Sequence, residues 1–188
     1  MPHFRGNEYT AFGTAIHAVC EKKLLKEEID DERFFVRSFN DYIADLGDDV
    51  SVDSGLVDQM VGQGKALLPE IEEAVSDYFG EYNVEAVELP LYEPIQGQND
   101  YKFKGFIDAI IKSKIDGKEK YWIIDWKTTG PRGWYQDKRR DFLTQAQIGL
   151  YKKFWAERED IPVRSIGCGY ALLKRNTKSN RLSFTSEL

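Results

Sequence analysis

Residues 105–129 read "GFIDAIIKSKIDGKEKYWIIDWKTT", and this segment decides the fold. It contains two strongly apolar stretches, and each of them carries one aspartate, Asp108 or Asp125. The Asp116 and Gly117 pair between the stretches predicts a two-residue β-hairpin turn, because glycine readily adopts a positive φ. The segment therefore predicts two antiparallel strands that form the centre of a sheet.

The predicted register brings two like charges together. If Ile115 pairs with Lys118, then Asp108 lies opposite Asp125, where facing Cβ atoms are about 4.5–5.5 Å apart and like charges repel. Lys127 points to the same face, because side chains alternate along a strand. Two buried carboxylates need a compensating charge. A divalent metal ion would supply it. The alternative is a structural ion network of Lys127 with arginine side chains, although one lysine alone leaves one of the two carboxylates uncompensated.

The composition is that of a globular protein. The chain has 188 residues, of which 41% are hydrophobic and 13% aromatic, which predicts a single domain over residues 1–188. There is no run of 18 apolar residues, and the start "MPHFRGNEY" lacks the apolar core of a signal peptide, so we expect a soluble, cytoplasmic protein without a membrane partner. Cys20 and Cys168 are too few for an iron–sulfur cluster or a four-thiolate zinc site. A disulfide between them is not expected in a reducing compartment.

The charged residues are distributed unevenly along the chain. The net charge is −6, but the segment from Lys120 onward has 14 Lys and Arg against 7 Asp and Glu, whereas the preceding segment has 12 against 25. Local fields rather than net charge direct a polyanion to a site. The excess of positive charge in the C-terminal part therefore predicts that this part forms the surface facing nucleic acid.

Hydrophobic periodicity predicts a mainly helical part over residues 1–80, followed by a sheet core with one further helix over residues 84–188. The predicted helices of the first part cover 10–26, 34–46 and 54–79, and the last of them bends or breaks near Pro69. The predicted elements of the second part are strands over 84–92, 102–115 and 118–128, a helix over 141–157 and a strand over 165–174. This order predicts an α/β layered domain.

Five short motifs occur in an order that resembles the RecB-like, lambda-exonuclease-like branch of the PD-(D/E)XK nucleases, which also includes CRISPR adaptation nucleases. They are "GTAIHAVCE" (13–21), Glu88 in "VELPL" (87–91), "GFID" (105–108), "DWK" (125–127) and "QIGLY" (147–151). Each motif alone is a weak signal, but the ordered set is specific. Some relatives carry four cysteines for an iron–sulfur cluster, which this chain lacks.

The resemblance implies a fold, an activity and a site. The implied fold is restriction-endonuclease-like, a mixed central β-sheet with an antiparallel hairpin core flanked by helices. The implied activity is hydrolysis of phosphodiester bonds with one or two Mg²⁺ or Mn²⁺ ions. The implied metal ligands are His17, Asp108, Asp125 and the backbone carbonyl of Trp126, and the implied catalytic groups are the two aspartates with Lys127. The implied supporting residues are Glu21, Glu88, Gln147 and Tyr151.

His17 and each supporting residue also have a structural interpretation. Taken alone, His17 fits an ordinary core or surface histidine, and Glu21 fits a solvated helical glutamate. Glu88 fits a strand side chain that points to solvent, and Gln147 and Tyr151 fit one face of a helix. An imidazole ligand binds metal only when it is neutral, so we expect metal affinity to weaken as the pH falls through about 6.5.

The loop "GPRGWYQDKRR" (130–140) follows the D-W-K strand and is both basic and aromatic. Trp134 and Tyr135 fit either packing within the loop or stacking on unpaired bases. The cations fit either a solvated face or a set of phosphate contacts, and they are Arg132, Lys138, Arg139 and Arg140.

We expect a metal-dependent deoxyribonuclease, and by family analogy an exonuclease that acts on DNA ends or single strands. One alternative is a structure-specific endonuclease. Another is an inactive nucleic-acid-binding or scaffold protein on the same fold, acting with a recombination or replication protein. An RNA substrate is also compatible with the residues.

Overall fold

In the described part of the chain, four helices precede the first strand: α1 (Glu8–Leu24), α2 (Asp31–Ala44), α3 (Ser54–Leu67) and α4 (Glu70–Phe79). The structure is a computed structural model that describes residues 6–47, 49–115, 117–176 and 181–185. Side chains of Asn7, Asp30 and Asp53 cap the first three helices by accepting hydrogen bonds from first-turn N–H groups. The separation of α3 from α4 at Leu68 and Pro69 confirms the predicted break.

The strands form one five-stranded sheet in the order β1 to β5. Their bounds are β1 (Tyr82–Ile95), β2 (Gln98–Ile115), β3 (Lys118–Thr129), β4 (Ile166–Lys174) and β5 (Leu182–Phe184). Neighbouring strands are antiparallel except for β3 and β4, which are parallel. The connection between these two contains a short helix, α5 (Gln136–Arg139), the long helix α6 (Phe142–Glu159) and a 3₁₀ turn (Val163–Ser165). This mixed sheet flanked by helices confirms the predicted fold class, whereas β5 and α5 were not predicted.

The register of the β2–β3 hairpin is the predicted one. Ile115 pairs with Lys118, and the same pairing continues to Ala109 with Ile124. The predicted turn residue Asp116 lies outside the described residues, while Gly117 has the expected positive φ of 76°.

Two hydrophobic clusters lie on opposite faces of the sheet. The helical-layer cluster joins α1 to α4 with one face, and its fully buried members include Phe12, Ile16, Phe35, Phe39, Met60 and Leu67. The α6 cluster joins the other face to α6, and its members include Ile107, Ile110, Tyr151, Phe154, Trp155 and Tyr170. Both faces of the central strands are therefore buried, as the sequence predicts. Within the described residues, no helix is long and apolar enough to cross a membrane.

The β1–β2 hairpin twists sharply part-way along its length. Val87 and its partner Ala109 pack with the helical-layer cluster, whereas Leu89 and its partner Ile107 pack with the α6 cluster. Residues two apart on a regular strand point to the same face, so both strands change face within two residues. Glu88, at this position, has a φ of 46°, which residues other than glycine rarely adopt.

Candidate active site

The sheet opens where β2 and β3 separate. Ala109 and Ile124 form the last recorded pair of this ladder, and Asp108 and Asp125 are the next residues in the same register. Beyond this point β2 continues beside β1, and β3 continues beside β4. The backbone N–H of Trp126 donates a 2.7 Å hydrogen bond to Asp108 Oδ2 across the opening. The two aspartates therefore meet at the start of a gap in the sheet.

Asp125 is buried and lies against one cation. Its residue is only 2% exposed, and its Oδ2 lies 2.6 Å from Lys127 Nζ. Apart from this ion pair, no group of the described residues donates a hydrogen bond to the buried Asp125 Oδ2. The predicted proximity of the D-W-K aspartate and lysine is present in the structure.

Both aspartates are harder to ionise than an exposed carboxyl group. Burial and then the charge of Asp125 raise the pKa of Asp108 to about 7, although the Trp126 N–H and Lys127 oppose the shift. Burial also raises the pKa of Asp125, and Lys127 opposes that shift. One lysine does not compensate two carboxylates, of which Asp125 is buried and Asp108 partly buried.

Helix α1 brings His17 to the opening. Its Nδ1 lies 3.9 Å from Asp108 Oδ2. Burial, and then the nearby charge of Lys127, lower the pKa of His17 to about 4. The imidazole is therefore neutral at neutral pH, which is the form that can bind a metal ion.

Two glutamates extend the acidic cluster on the open side. Glu88 is exposed, and burial, followed by the charges of Glu21 and Asp125, raises its pKa. The unusual φ of Glu88 places backbone strain next to the acidic groups, and strain of this kind often accompanies functional sites. Glu88 therefore lies within electrostatic reach of the central acids, and Glu21 lies within reach of Glu88.

A cleft of about 730 Å³ connects these groups to solvent. Its lining includes His17, Glu21, Glu88, Lys127 and the aromatic residues Tyr9 and Tyr42. Another cleft, of about 750 Å³, lies between α2 and the end of α3 and is lined by residues such as Arg33 and Lys65. That second cleft contains none of the acids at the sheet opening, so the first is the candidate active site.

The family model of the PD-(D/E)XK nuclease superfamily matches residues 3–187. The chain belongs to the PD-(D/E)XK nuclease superfamily. The chemistry of this superfamily is metal-dependent cleavage of nucleic acid, so the substrate of this nuclease is a nucleic acid. No curated protein sequence gives a significant match. Assignment to the RecB-like branch stays a prediction.

The donor groups at the opening fit a divalent cation of the kind that superfamily members use. Carboxylate oxygens and a neutral imidazole suit Mg²⁺ or Mn²⁺, and the buried Asp125 Oδ2 has an unused lone pair. Among the described residues, no three His, Cys, Asp or Glu side chains are already arranged around one ion. The Lys127 ammonium supplies the positive charge beside Asp125 in this arrangement.

The predicted supporting residues of α6 contact each other, and Tyr151 also contacts the hairpin. Gln147 Nε2 donates a 3.1 Å hydrogen bond to the hydroxyl of Tyr151. The ring of Tyr151 lies so close to Gly105 that a Cβ atom there would be 2.6 Å from Tyr151 Cε1. Tyr151 therefore packs α6 against β2, three residues before Asp108, and Gln147 contacts Tyr151 within the same helix.

Sequence reasoning missed Tyr170 as a neighbour of the site. Tyr170 is the β4 partner of Asp125 in the parallel ladder, and Lys127 Nζ lies 5.8 Å from the centre of its ring. Its hydroxyl donates a hydrogen bond to the carbonyl of Thr144 at the start of α6. Only the β3–β4 register reveals this position, and the sequence does not specify that register.

The loop after β3 divides into buried and exposed parts. Trp134 packs on Tyr170, with ring centres 4.8 Å apart, which agrees with the packing interpretation. Tyr135 is 59% exposed, and the guanidinium of Arg132 lies 5.4 Å from its ring centre. Lys138 forms a 3.5 Å ion pair with Asp141, the cap of α6. Arg139 and Arg140 are exposed beside it.

Proposed function

We propose that this protein is a Mg²⁺- or Mn²⁺-dependent deoxyribonuclease that acts as an exonuclease on DNA ends or single strands. The observation that carries this proposal is the pair of aspartates beside Lys127, of which Asp125 is buried and Asp108 partly buried. The charge of Asp125 raises the pKa of Asp108, and Lys127 and His17 line an open cleft next to the pair. A structural ion pair needs only one carboxylate. A second, uncompensated carboxylate would destabilise the fold without a structural benefit. Assembly into a recombination or replication complex is part of the same proposal.

Each residue at the opening has a chemical role in this proposal. His17, Asp108, Asp125 and the Trp126 carbonyl would hold the ion, and Glu21 and Glu88 would add negative charge to the cleft beside it. Water activation and neutralisation of a phosphate oxygen are the chemistry that a bound divalent ion supplies.

Lys127 is the mobile cation of the site. Its ammonium balances the charge of Asp125 when no other cation is present. The Lys127 side chain is 32% exposed. It therefore has room to move toward a phosphate group in the cleft. In that position it stabilises the negative charge that develops during hydrolysis.

The test is incubation of the protein with end-labelled single-stranded DNA, duplex DNA and RNA, in Mg²⁺, Mn²⁺ or EDTA. We expect metal-dependent cleavage of DNA with mononucleotide or short products. Long internal fragments would instead indicate an endonuclease, and preference for RNA would contradict the substrate assignment. Asp125→Asn and Lys127→Ala should each lower the rate by at least about 10²-fold. Lys153→Ala, an exposed lysine on α6, serves as the control. No cleavage of any substrate in either metal would favour a binding or scaffold protein.

The exposed cations after β3 are proposed phosphate contacts. Replacing Lys138, Arg139 and Arg140 with alanine should weaken DNA binding and reduce the slope of log affinity against log salt by about 0.7–0.9 per lost contact. The matched control removes three cations from the surface formed by α6 and the following turn: Lys152, Lys153 and Arg164. Equal slopes for the two triple variants would mean that the loop is only a solvated face.

A further inference from the structure

The β1–β2 hairpin extends beyond the sheet opening as a two-stranded ribbon with one exposed face. Side chains alternate between exposed and covered positions along both strands. The ladder pairs the exposed residues as Pro90 with Phe106, Tyr92 with Lys104, and Pro94 with Lys102. These six residues are called the outer ribbon face below.

The opposite face of the ribbon is anchored on α6. Leu91 is buried in the α6 cluster, and the rings of Phe103 and Phe154 stack with centres 4.4 Å apart. Arg158 adds a 3.0 Å hydrogen bond to the carbonyl of Pro90. The outer ribbon face is therefore a fixed surface whose position relative to the sheet opening is set by packing.

The outer ribbon face combines aromatic rings with cations and has no carboxylate. Tyr92 is 64% exposed and Phe106 is 48% exposed. Lys102 Nζ lies 4.6 Å from the centre of the Tyr92 ring, and Lys104 is exposed on the neighbouring strand. Flat sheet surfaces with exposed rings and lysines are typical of proteins that stack unpaired bases and contact the phosphates between them.

The outer ribbon face ends next to the acidic cluster, where the two strands change face. Phe106 is two residues from Asp108, and Glu88 is two residues from Pro90. At the usual strand rise, the Cα atoms of Phe106, Lys104 and Lys102 lie about 7, 13 and 20 Å from that of Asp108. A nucleic-acid strand lying on this face would therefore run into the candidate active site.

We propose that the outer ribbon face binds the unpaired nucleic-acid strand next to the bond that is cleaved. This proposal rests on the proposed nuclease function. Tyr92 and Phe106 stack on bases, and Lys102 and Lys104 contact phosphates. Bases stacked within a duplex cannot reach these rings, so the surface selects single strands. A polyanionic occupant also matches the two lysines better than an apolar protein surface would.

Binding measurements in EDTA test this proposal without cleavage. The probes are a fluorescent single-stranded DNA of mixed sequence and the blunt duplex of the same sequence, followed by anisotropy. Tyr92→Ala and Phe106→Ala should each lower single-strand affinity by about 5- to 150-fold and leave duplex affinity within about 2-fold. Tyr92→Phe keeps the ring and should retain most of the affinity. Circular dichroism verifies that each variant is folded.

A second comparison isolates the lysines. Lys102 and Lys114 are both six residues from Asp108 on β2, in opposite directions, and both are exposed. Lys102→Ala should reduce the salt slope for single-stranded DNA by about 0.7, whereas Lys114→Ala should leave it unchanged.

The results separate failure of this proposal from failure of the proposed function. If the wild-type protein cuts DNA but the ring variants bind single strands as tightly as wild type, only the proposal for the outer ribbon face is overturned. Equal losses for single strands and duplex would also overturn it, because the face would then not select unpaired bases. If the wild-type protein cuts no nucleic acid but the ring variants bind single strands more weakly than wild type, the proposed nuclease function is overturned. The proposed binding surface is then still supported.

Discussion

Replacing Asp108 with asparagine removes a carboxylate that is costly to ionise in the folded protein. Its side chain is only 16% exposed, and its pKa rises from an ordinary 3.8 to about 7. The folded protein then holds a proton that the unfolded chain releases, so stability falls as the pH rises from about 4 to about 7. At about 1.4 kcal/mol per pH unit, the full shift corresponds to roughly 4 kcal/mol above pH 7.

Asparagine keeps an oxygen for the Trp126 N–H but loses the charge that attracts Lys127. A neutral acceptor gives up about 1 kcal/mol relative to a charged one. Without metal, we therefore expect Asp108→Asn to be about 1–3 kcal/mol more stable than wild type at pH 8, with the gain disappearing near pH 4. Urea denaturation in EDTA at several pH values measures both quantities. Asp58→Asn, on the exposed side of α3, is the control and should change stability by less than about 0.5 kcal/mol.

Adding Mn²⁺ completes the test. Saturation at 100 times Kd should stabilise wild type by about 2.7 kcal/mol and Asp108→Asn by much less. Mn²⁺ affinity of wild type, measured by titration calorimetry, should fall as the pH drops below about 7, because Asp108 must first lose its proton. If Asp108→Asn were instead 3–5 kcal/mol less stable than wild type in EDTA at pH 8, Asp108 would be the partner of a buried cation. The metal-site interpretation would then be refuted.

Two further predictions concern the core. Gly64→Ala should destabilise the protein by about 1–3 kcal/mol in urea denaturation, because its Cβ would lie 2.2 Å from ring atoms of Phe35, a fully buried residue. Gly62→Ala, whose Cβ meets no described atom within 4 Å, should stabilise the same helix by about 0.5–1 kcal/mol. A similar change in stability for the Gly62 and Gly64 variants would contradict the packing of α3. Ser113→Ala should cost about 1–3 kcal/mol, because the buried Trp122 Nε1–H donates a 3.0 Å hydrogen bond to the serine hydroxyl; an unchanged denaturation midpoint would show that the indole finds another acceptor.

The sequence predicts the hairpin well because its information is local. A tight turn and strict alternation determine the pairing of Ile115 with Lys118, and every recorded pair up to Ala109 with Ile124 follows from that one. The break at Pro69 is likewise a property of one residue. The meeting of residues from three motifs around one cleft depends on long-range packing, and only the order of the motifs indicated it; these residues are His17, Glu21, Glu88 and Lys127.

The electrostatic state of the site could not be read from residue types. An ordinary imidazole would compete with protons near pH 6.5, but burial and the charge of Lys127 lower the pKa of His17 to about 4. Protons instead compete with a metal ion at Asp108, whose pKa is about 7. The separation of β2 from β3 at this residue, and the parallel register that brings in Tyr170, both arise from how the strands pack.

Strand β1 forms one edge of the sheet over 14 residues, and a long regular edge is a template on which another chain can add a strand and start a fibril. This edge is interrupted repeatedly. Its register shifts between Val84 and Ala86, its backbone turns to positive φ at Glu88, and Pro90 and Pro94 have no N–H to donate. At the other edge, β5 spans only three residues. The irregularities that bend β1 toward the acidic cluster therefore also protect the protein against edge-to-edge aggregation.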